Sequence, residues 1–148
     1  MRLSDRLNTI ASYIKKGESI ADIGTDHALL PIFLWKKGIC KKIIISDINE
    51  GPLEKARANI NRLCPDMDVD IRKGSGIETL LNNEVDTVII AGMGGLLIID
   101  ILGYDINKAR SFGRYILQPR NASDKLRVWL YKNNFDIIDE RLVQEGKF

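Results

Sequence analysis

A chain of 148 residues with 45% apolar and 28% charged side chains has the size and make-up of one soluble globular domain, long enough to bury roughly two thirds of the surface its unfolded form would expose. Its net charge of +2 permits a nucleic-acid partner without arguing for one, because a binding stripe needs clustered rather than average charge. Cys40 and Cys64 have no C-x-x-C spacing and no second histidine to accompany them, which argues against a disulfide framework or a metal site and for two reduced thiols. No apolar run reaches the roughly 18 residues of a membrane span, and the N-terminus has a helix pattern instead of a signal core. The expectation is a cytoplasmic protein without membrane or metal partners, with a monomer as the favoured state.

Taken in order, Leu3, Leu7, Ile10, Ala11 and Ile14 fall on one face of a helix that Ser4 or Asp5 can start and Gly17 can end. Ser19 to Ile23 predicts a first strand. Asp26 to Trp35 predicts a helix whose free backbone N–H groups point at whatever occupies the Gly24 turn. Ile43-Ile44-Ile45 is a wholly apolar second strand, as expected when both faces are covered, and it ends in Ser46-Asp47. A helix follows from Pro52, with Leu53, Ala56, Ile60 and Leu63 on one face.

Val69 to Arg72 is a third strand running into Gly74-Ser75-Gly76, and a weak helix spans Ile77 to Leu81. Val85 to Ile90 is a strong fourth strand that terminates in Ala91-Gly92-Met93-Gly94-Gly95. Leu96 to Leu102 is apolar almost all round and reads as a buried helix. Tyr115 to Leu117 is a fifth strand ending at Gln118-Pro119; Asn121 or Ser123 can cap a helix carrying Ala122, Leu126, Trp129 and Leu130; Asp136 to Val143 reads as a sixth strand. Alternating strands and helices imply an α/β fold, a doubly wound, mostly parallel sheet between two helical layers.

The stretch Asp22-Ile23-Gly24-Thr25-Asp26-His27 ends the first strand in an acid and a glycine turn, the pattern of a cofactor crevice. A dinucleotide fingerprint requires G-x-G-x-x-G, and only Gly24 of it is present; Asp26 would also repel a pyrophosphate. S-adenosylmethionine suits acids at strand ends better, because it carries a cationic amino-acid tail, a ribose diol and an adenine. Asp22 is placed to attract the ammonium, Asp47 to accept from both ribose hydroxyls, and Ile48 to pack on the adenine face.

Four motifs in this order, Ala21-Asp22-Ile23-Gly24-Thr25-Asp26-His27-Ala28, Ala91-Gly92-Met93-Gly94-Gly95, Leu117-Gln118-Pro119 and Trp129-Leu130-Tyr131 through Asp139-Glu140 to Glu145-Gly146-Lys147-Phe148, resemble the bacterial tRNA (adenine-N1)-methyltransferase family called TrmK. The resemblance spans essentially the whole chain. It implies a Rossmann-like class I methyltransferase domain over residues 1–148, S-adenosylmethionine as cofactor, tRNA as partner, and methylation of the adenosine at tRNA position 22. It maps the cofactor region onto Asp22, Gly24, Asp26, His27, Asp47, Ile48, Ser75, Gly76, Ala91, Gly92 and Met93.

Two departures stand out. The family usually has Gly-Asp-Gly where this chain has Gly74-Ser75-Gly76, so a weaker acceptor faces the adenine amino group. Family members also continue into a last strand and a helical coiled-coil region that helps engage tRNA, so the resemblance is to the catalytic domain only.

A target pocket is expected between the Asp26-His27 turn, Gly92-Met93-Gly94 and Gln118-Pro119, with Asp26 and Gln118 holding the adenine edge and His27 orienting the site. Plainer readings stand beside these. Asp26 could simply cap a helix, His27 could bond only backbone, and Arg110, Arg114, Arg120 and Arg127 could be solvated. A methyltransferase acting on a small molecule or protein, and a non-catalytic binding module, remain open alternatives at this point.

Overall fold

The computed structural model describes residues 2–25 and 27–144. Strands β1 (Ile20–Ile23), β2 (Ile43–Asp47), β3 (Asp70–Lys73), β4 (Thr87–Met93) and β5 (Arg114–Pro119) form one sheet in the order β3-β2-β1-β4-β5. All of its pairings are parallel. Parallel neighbours need a crossover between them, and the crossovers place helices on both faces.

Helices α1 (Asp5–Ser12), α2 (Leu29–Lys36) and α3 (Glu50–Leu63) cover one face, where Leu7, Ile10, Ile32, Leu34, Leu53 and Ile60 pack on Ile20, Ile43, Ile45 and Ile89. Helices α4 (Gly95–Gly103), α5 (Ile106–Ala109) and α6 (Ser123–Lys132), with a 3-10 turn at Gly76–Thr79, cover the other through Ile77, Ile98, Leu102, Ala109, Leu126 and Leu130. The isoleucine-rich strands are buried on both faces because both layers need an apolar floor. Each isoleucine buried there contributes about 1.5–3 kcal/mol relative to exposure. The doubly wound, three-layer α/β architecture expected from the sequence is the one found.

Local differences have physical causes. The second helix starts at Leu29, not Asp26: His27 and Ala28 adopt left-handed backbone (φ 55° and 59°), and the Asn59 side chain donates to the His27 carbonyl at 2.8 Å. Helix α3 begins two residues before Pro52, at Glu50. Neither Asn121 nor Ser123 caps α6; Ala122 occupies that position in left-handed backbone, and Asn121 is engaged elsewhere. Helix α4 is buried along Gly95, Ile98, Ile101 and Leu102 but leaves Leu96 and Leu97 half exposed, so it is not buried all round.

No sixth strand forms over residues 136–143. An alternating pattern supplies an apolar face but no partner for its backbone N–H and C=O groups, and among the described residues β5 pairs only with β4. The segment is tied down by side chains instead: Glu140 pairs with Arg127 of α6 at 2.8 Å and Arg141 lies over the Tyr13 ring, while Ile138 and Leu142 face outward.

Several arginines are consumed by the fold. Arg72 grips Glu84 through two N–H donors (2.7 and 2.6 Å) and also holds Asp70, joining edge strand β3 to the segment entering β4 and holding the Glu84 carboxyl down to about 2. Arg114 pairs with Glu18 at 2.7 Å, and Arg110 stacks over Phe135. Cys40 and Cys64 are buried free thiols, and burial pushes the Cys40 thiol up to about 11. No helix among the described residues is long and apolar enough to cross a membrane.

Candidate active site

The strands of a parallel sheet all deliver their C-terminal ends to one edge. Here the chain winds outward from β1 through β2 to β3, then returns to the other side of β1 with β4 and β5. The helices after β1 and β4 therefore leave on opposite faces, which opens a crevice between those two strand ends. A cleft of about 250 Å³ lies there, lined by Arg6, Leu7, Asp22, Gly24, Thr25, Leu30, Ala91 and Gly92.

Its floor is Asp22, buried to 6% exposure at the end of β1. A buried carboxylate needs partners, and the Thr25 hydroxyl donates to it at 2.9 Å. Gly24 then turns with φ +73°, its N–H donating to the Ser46 carbonyl of β2 at 2.8 Å. A Cβ at Gly24 would stand 2.2 Å from the Met93 methyl, so the β1 turn and the β4 end touch through the missing side chain.

On the neighbouring strand, Asp47 ends β2. One carboxylate oxygen accepts the Asn49 N–H at 2.9 Å, and its carbonyl accepts the Gly74 N–H at 2.9 Å, tying the β2 end to the β3 end. Ile48 follows with 61% of its surface exposed, an apolar side chain one residue past the end of β2. Ser75 is exposed and its carbonyl accepts the Glu78 N–H at 3.0 Å, starting the 3-10 turn. Gly76 packs against α4, where a Cβ would meet Ile101 at 2.9 Å.

Across the cleft, the β4–β5 register slips between Ala91 and Met93, and Gly92 (φ +76°) is the bulge that absorbs it. The Gln118 side-chain oxygen accepts the Gly92 N–H at 3.0 Å and the Arg6 Nη1 at 3.2 Å, while its amide donates to the Pro119 carbonyl at 3.3 Å. Asn121 accepts the Gly95 N–H through its backbone oxygen at 3.0 Å and its side-chain oxygen at 3.3 Å, which fixes the start of α4 against the β5–α6 loop.

Of the residues expected from the sequence, Asp22, Gly24, Ala91 and Gly92 share the cleft, Met93 packs on Gly24, and Asp47 and Ile48 lie at the adjoining strand end. Ser75 and Gly76 sit beyond β3, and His27 is exposed in the turn after Gly24. Asp26 and the motif residues Glu145 to Phe148 lie outside the described residues. Arg6 and Thr25 were not anticipated. Arg6 had a legible signal: three residues after Leu3 and four before Ile10, it lies on the apolar stripe of α1, where a charge must have a partner or a cleft.

Among the described residues, no group of three or more His, Cys, Asp or Glu is arranged to hold a metal ion.

The methyltransferase-domain family model matches residues 3–148. The tRNA (adenine(22)-N(1))-methyltransferase of Bacillus subtilis is 37% identical over 145 residues, covering 98% of this chain and 61% of that protein. Mycoplasma capricolum TrmK, solved with S-adenosyl-homocysteine, is 33% identical with a TM-score of 0.84, covering 99% of this chain and 65% of that one. A Streptococcus pneumoniae protein solved with S-adenosyl-L-methionine, described as a candidate tRNA (m1A22) methyltransferase, is 36% identical with a TM-score of 0.92, over 98% of this chain and 68% of that one.

This chain belongs to the TrmK methyltransferase family. Its TrmK relatives are longer, and the chain spans about two thirds of their length.

Proposed function

We propose that this chain binds S-adenosylmethionine across the ends of β2, β1 and β4 and transfers its methyl group to N1 of the adenine at position 22 of tRNA. The observation that carries the reading is the pair of carboxylates, Asp22 and Asp47, at adjacent strand ends around a single glycine turn. A phosphate-bearing cofactor would face both charges, whereas a ligand with an ammonium and a ribose diol is matched by them. The donor set fits: Asp22 faces the cleft, Asp47 has one carboxylate oxygen with no partner among the described residues, and Ile48 offers an exposed apolar face.

When bound, S-adenosylmethionine supplies an electrophilic methyl sulfonium. Adenine N1 already carries a nucleophilic lone pair, so the protein has to position rather than deprotonate it. Positive charge passes from sulfur to the purine as the C–S bond breaks and the N–C bond forms, and a carboxylate or carbonyl edge beside the base stabilises it. In this reading Asp26, between Thr25 and His27 in sequence, holds the target edge, and His27 orients the site. Gln118 acts by bracing the Gly92 bulge through the hydrogen bond it accepts there. N1 is hidden in paired RNA, so the target is taken unpaired or flipped out.

The test is methyl transfer from labelled S-adenosylmethionine to tRNA transcripts carrying adenosine or guanosine at position 22. The expected result is 1-methyladenosine in the first transcript alone. Equal labelling of both transcripts, or of neither, would contradict the proposal.

A further inference from the structure

We infer that Arg120 and Arg2 hold phosphates of the RNA strand beside the crevice and so position the strand that delivers the target adenine. This rests on the RNA-methylating reading above and adds two positioning residues to it. Of the four arginines that the sequence leaves open, three are engaged within the fold: Arg110 by the Asn133 carbonyl and the Phe135 ring, Arg114 by Glu18 and Arg127 by Glu140. Arg120 is the fourth. Apart from Arg2, every other arginine has a partner as well. Arg120 and Arg2 are exposed, and their guanidiniums have no partner among the described residues.

Both stand at the edge of the sheet where the cleft opens. Arg120 follows β5 directly. Its N–H donates to the Met93 carbonyl at 2.8 Å, and the Asn121 carbonyl accepts the Gly95 N–H at 3.0 Å, so its backbone is fastened to the β4 end, where Ala91 and Gly92 line the cleft. Helix α1 runs antiparallel to β5. Arg6 in its first turn donates to Gln118 near the end of that strand, and the Tyr13 carbonyl after its last turn accepts from Arg114 at the start. Arg2 precedes the Ser4 cap, which places it past the same strand ends as Arg120.

Charge decides what these side chains can touch. Methyl transfer puts positive charge on the purine, and a guanidinium against the ring would oppose it. A phosphodiester carries the opposite charge at every nucleotide and matches the planar donor fork of arginine. Asp124, the nearest acid to Arg120 in sequence, forms no ion pair with it; it lies in the first turn of α6, whose positive end it complements.

The test measures methyl transfer to a transcript with adenosine at position 22, and binding of that transcript between about 50 and 200 mM salt. The parent chain would be compared with Arg120→Gln, Arg2→Gln, the double variant and Arg120→Lys. Lys41→Gln is the control, an exposed charge ahead of β2 at the opposite edge of the sheet. Each glutamine variant is expected to raise KM for tRNA about 3- to 10-fold with kcat within about twofold, the pattern of lost uniform binding. Each should also flatten the slope of log affinity against log salt by about 0.7–0.9, one phosphate contact. Arg120→Lys keeps the charge and restores that slope, Lys41→Gln matches the parent, and S-adenosylhomocysteine affinity is the same throughout.

Unchanged KM and salt slope in both glutamine variants would overturn the assignment, as would equal changes in Lys41→Gln or a parallel fall in S-adenosylhomocysteine affinity. A change confined to one arginine removes the other from the site. A parent chain that binds S-adenosylhomocysteine but neither binds nor methylates the transcript would instead overturn the RNA reading, and this assignment with it.

Discussion

Asp47→Ala is expected to weaken S-adenosylhomocysteine binding by about 2–4 kcal/mol, roughly 30- to 1,000-fold, while leaving the fold in place. The carboxylate stands at the end of β2, where its backbone carbonyl is held by Gly74 and one side-chain oxygen by Asn49. In the proposed complex it accepts from two ribose hydroxyls, each a charge-assisted bond, and alanine leaves both without an acceptor. The stability cost is smaller, about 1 kcal/mol, because the variant loses only the Asn49 contact ahead of α3. Asp47→Asn keeps one acceptor and should lie between. Calorimetry with a thermal melt on each variant separates the two effects; unchanged affinity in Asp47→Ala would remove Asp47 from the site.

The second large effect is structural and acts on the site from behind. Gly95→Ala is expected to lower stability by about 1–3 kcal/mol, or roughly 2–12 °C in Tm for a chain of this size. The added Cβ would stand 2.6 Å from the Ala122 carbonyl oxygen and 2.8 Å from that of Asn121, both backbone atoms that cannot swing aside. Backbone freedom is not the issue, because Gly95 is the first residue of α4; the cost is steric. Relief requires α4 to move away from the β5–α6 loop, breaking the bonds from the Gly95 N–H to Asn121 and shifting the Gly92–Gly94 turn. Gly94→Ala is the internal comparison. Its Cβ would meet the tip of the Asn121 side chain at 3.0 Å, which can rotate, so a much smaller loss is expected in differential scanning calorimetry. Equal losses in the two variants would contradict the argument.

The contrast between these positions also explains what the sequence could reveal. The runs Ile20–Ile23 and Ile43–Ile45 announced doubly covered parallel strands because burial on both faces abolishes alternation, and Asp22 and Asp47 stand at the C-terminal ends of those adjacent strands. The glycines after β4 marked a tight strand-to-helix turn, although the close approach of Gly95 to the Asn121 and Ala122 backbone is a three-dimensional fact. His27 and Ala28 gave no such signal. Histidine takes left-handed backbone more readily than most residues but alanine does not, and burial of Ala28 together with the long-range bond from Asn59 to the His27 carbonyl accompanies the turn.

Asn121 was visible as a cap, yet it serves the neighbouring helix rather than its own, because α4 and α6 start side by side. Residues 136–143 show the limit of periodicity: the pattern is that of a strand, and the backbone partners that would make it one are not among the described residues. Arg6 shares the apolar stripe of α1 with Leu3, Leu7 and Ile10, and a helical period defined by apolar side chains alone does not register a charge among them.

The account depends most on the crevice being an S-adenosylmethionine site, and a calorimetric titration of the parent chain with S-adenosylhomocysteine tests that directly. The predicted result is a saturable isotherm with one ligand per chain, accompanied by a rise in Tm that grows with ligand concentration, as binding to the folded state alone requires. No heat of binding and no shift in Tm at millimolar ligand would contradict it.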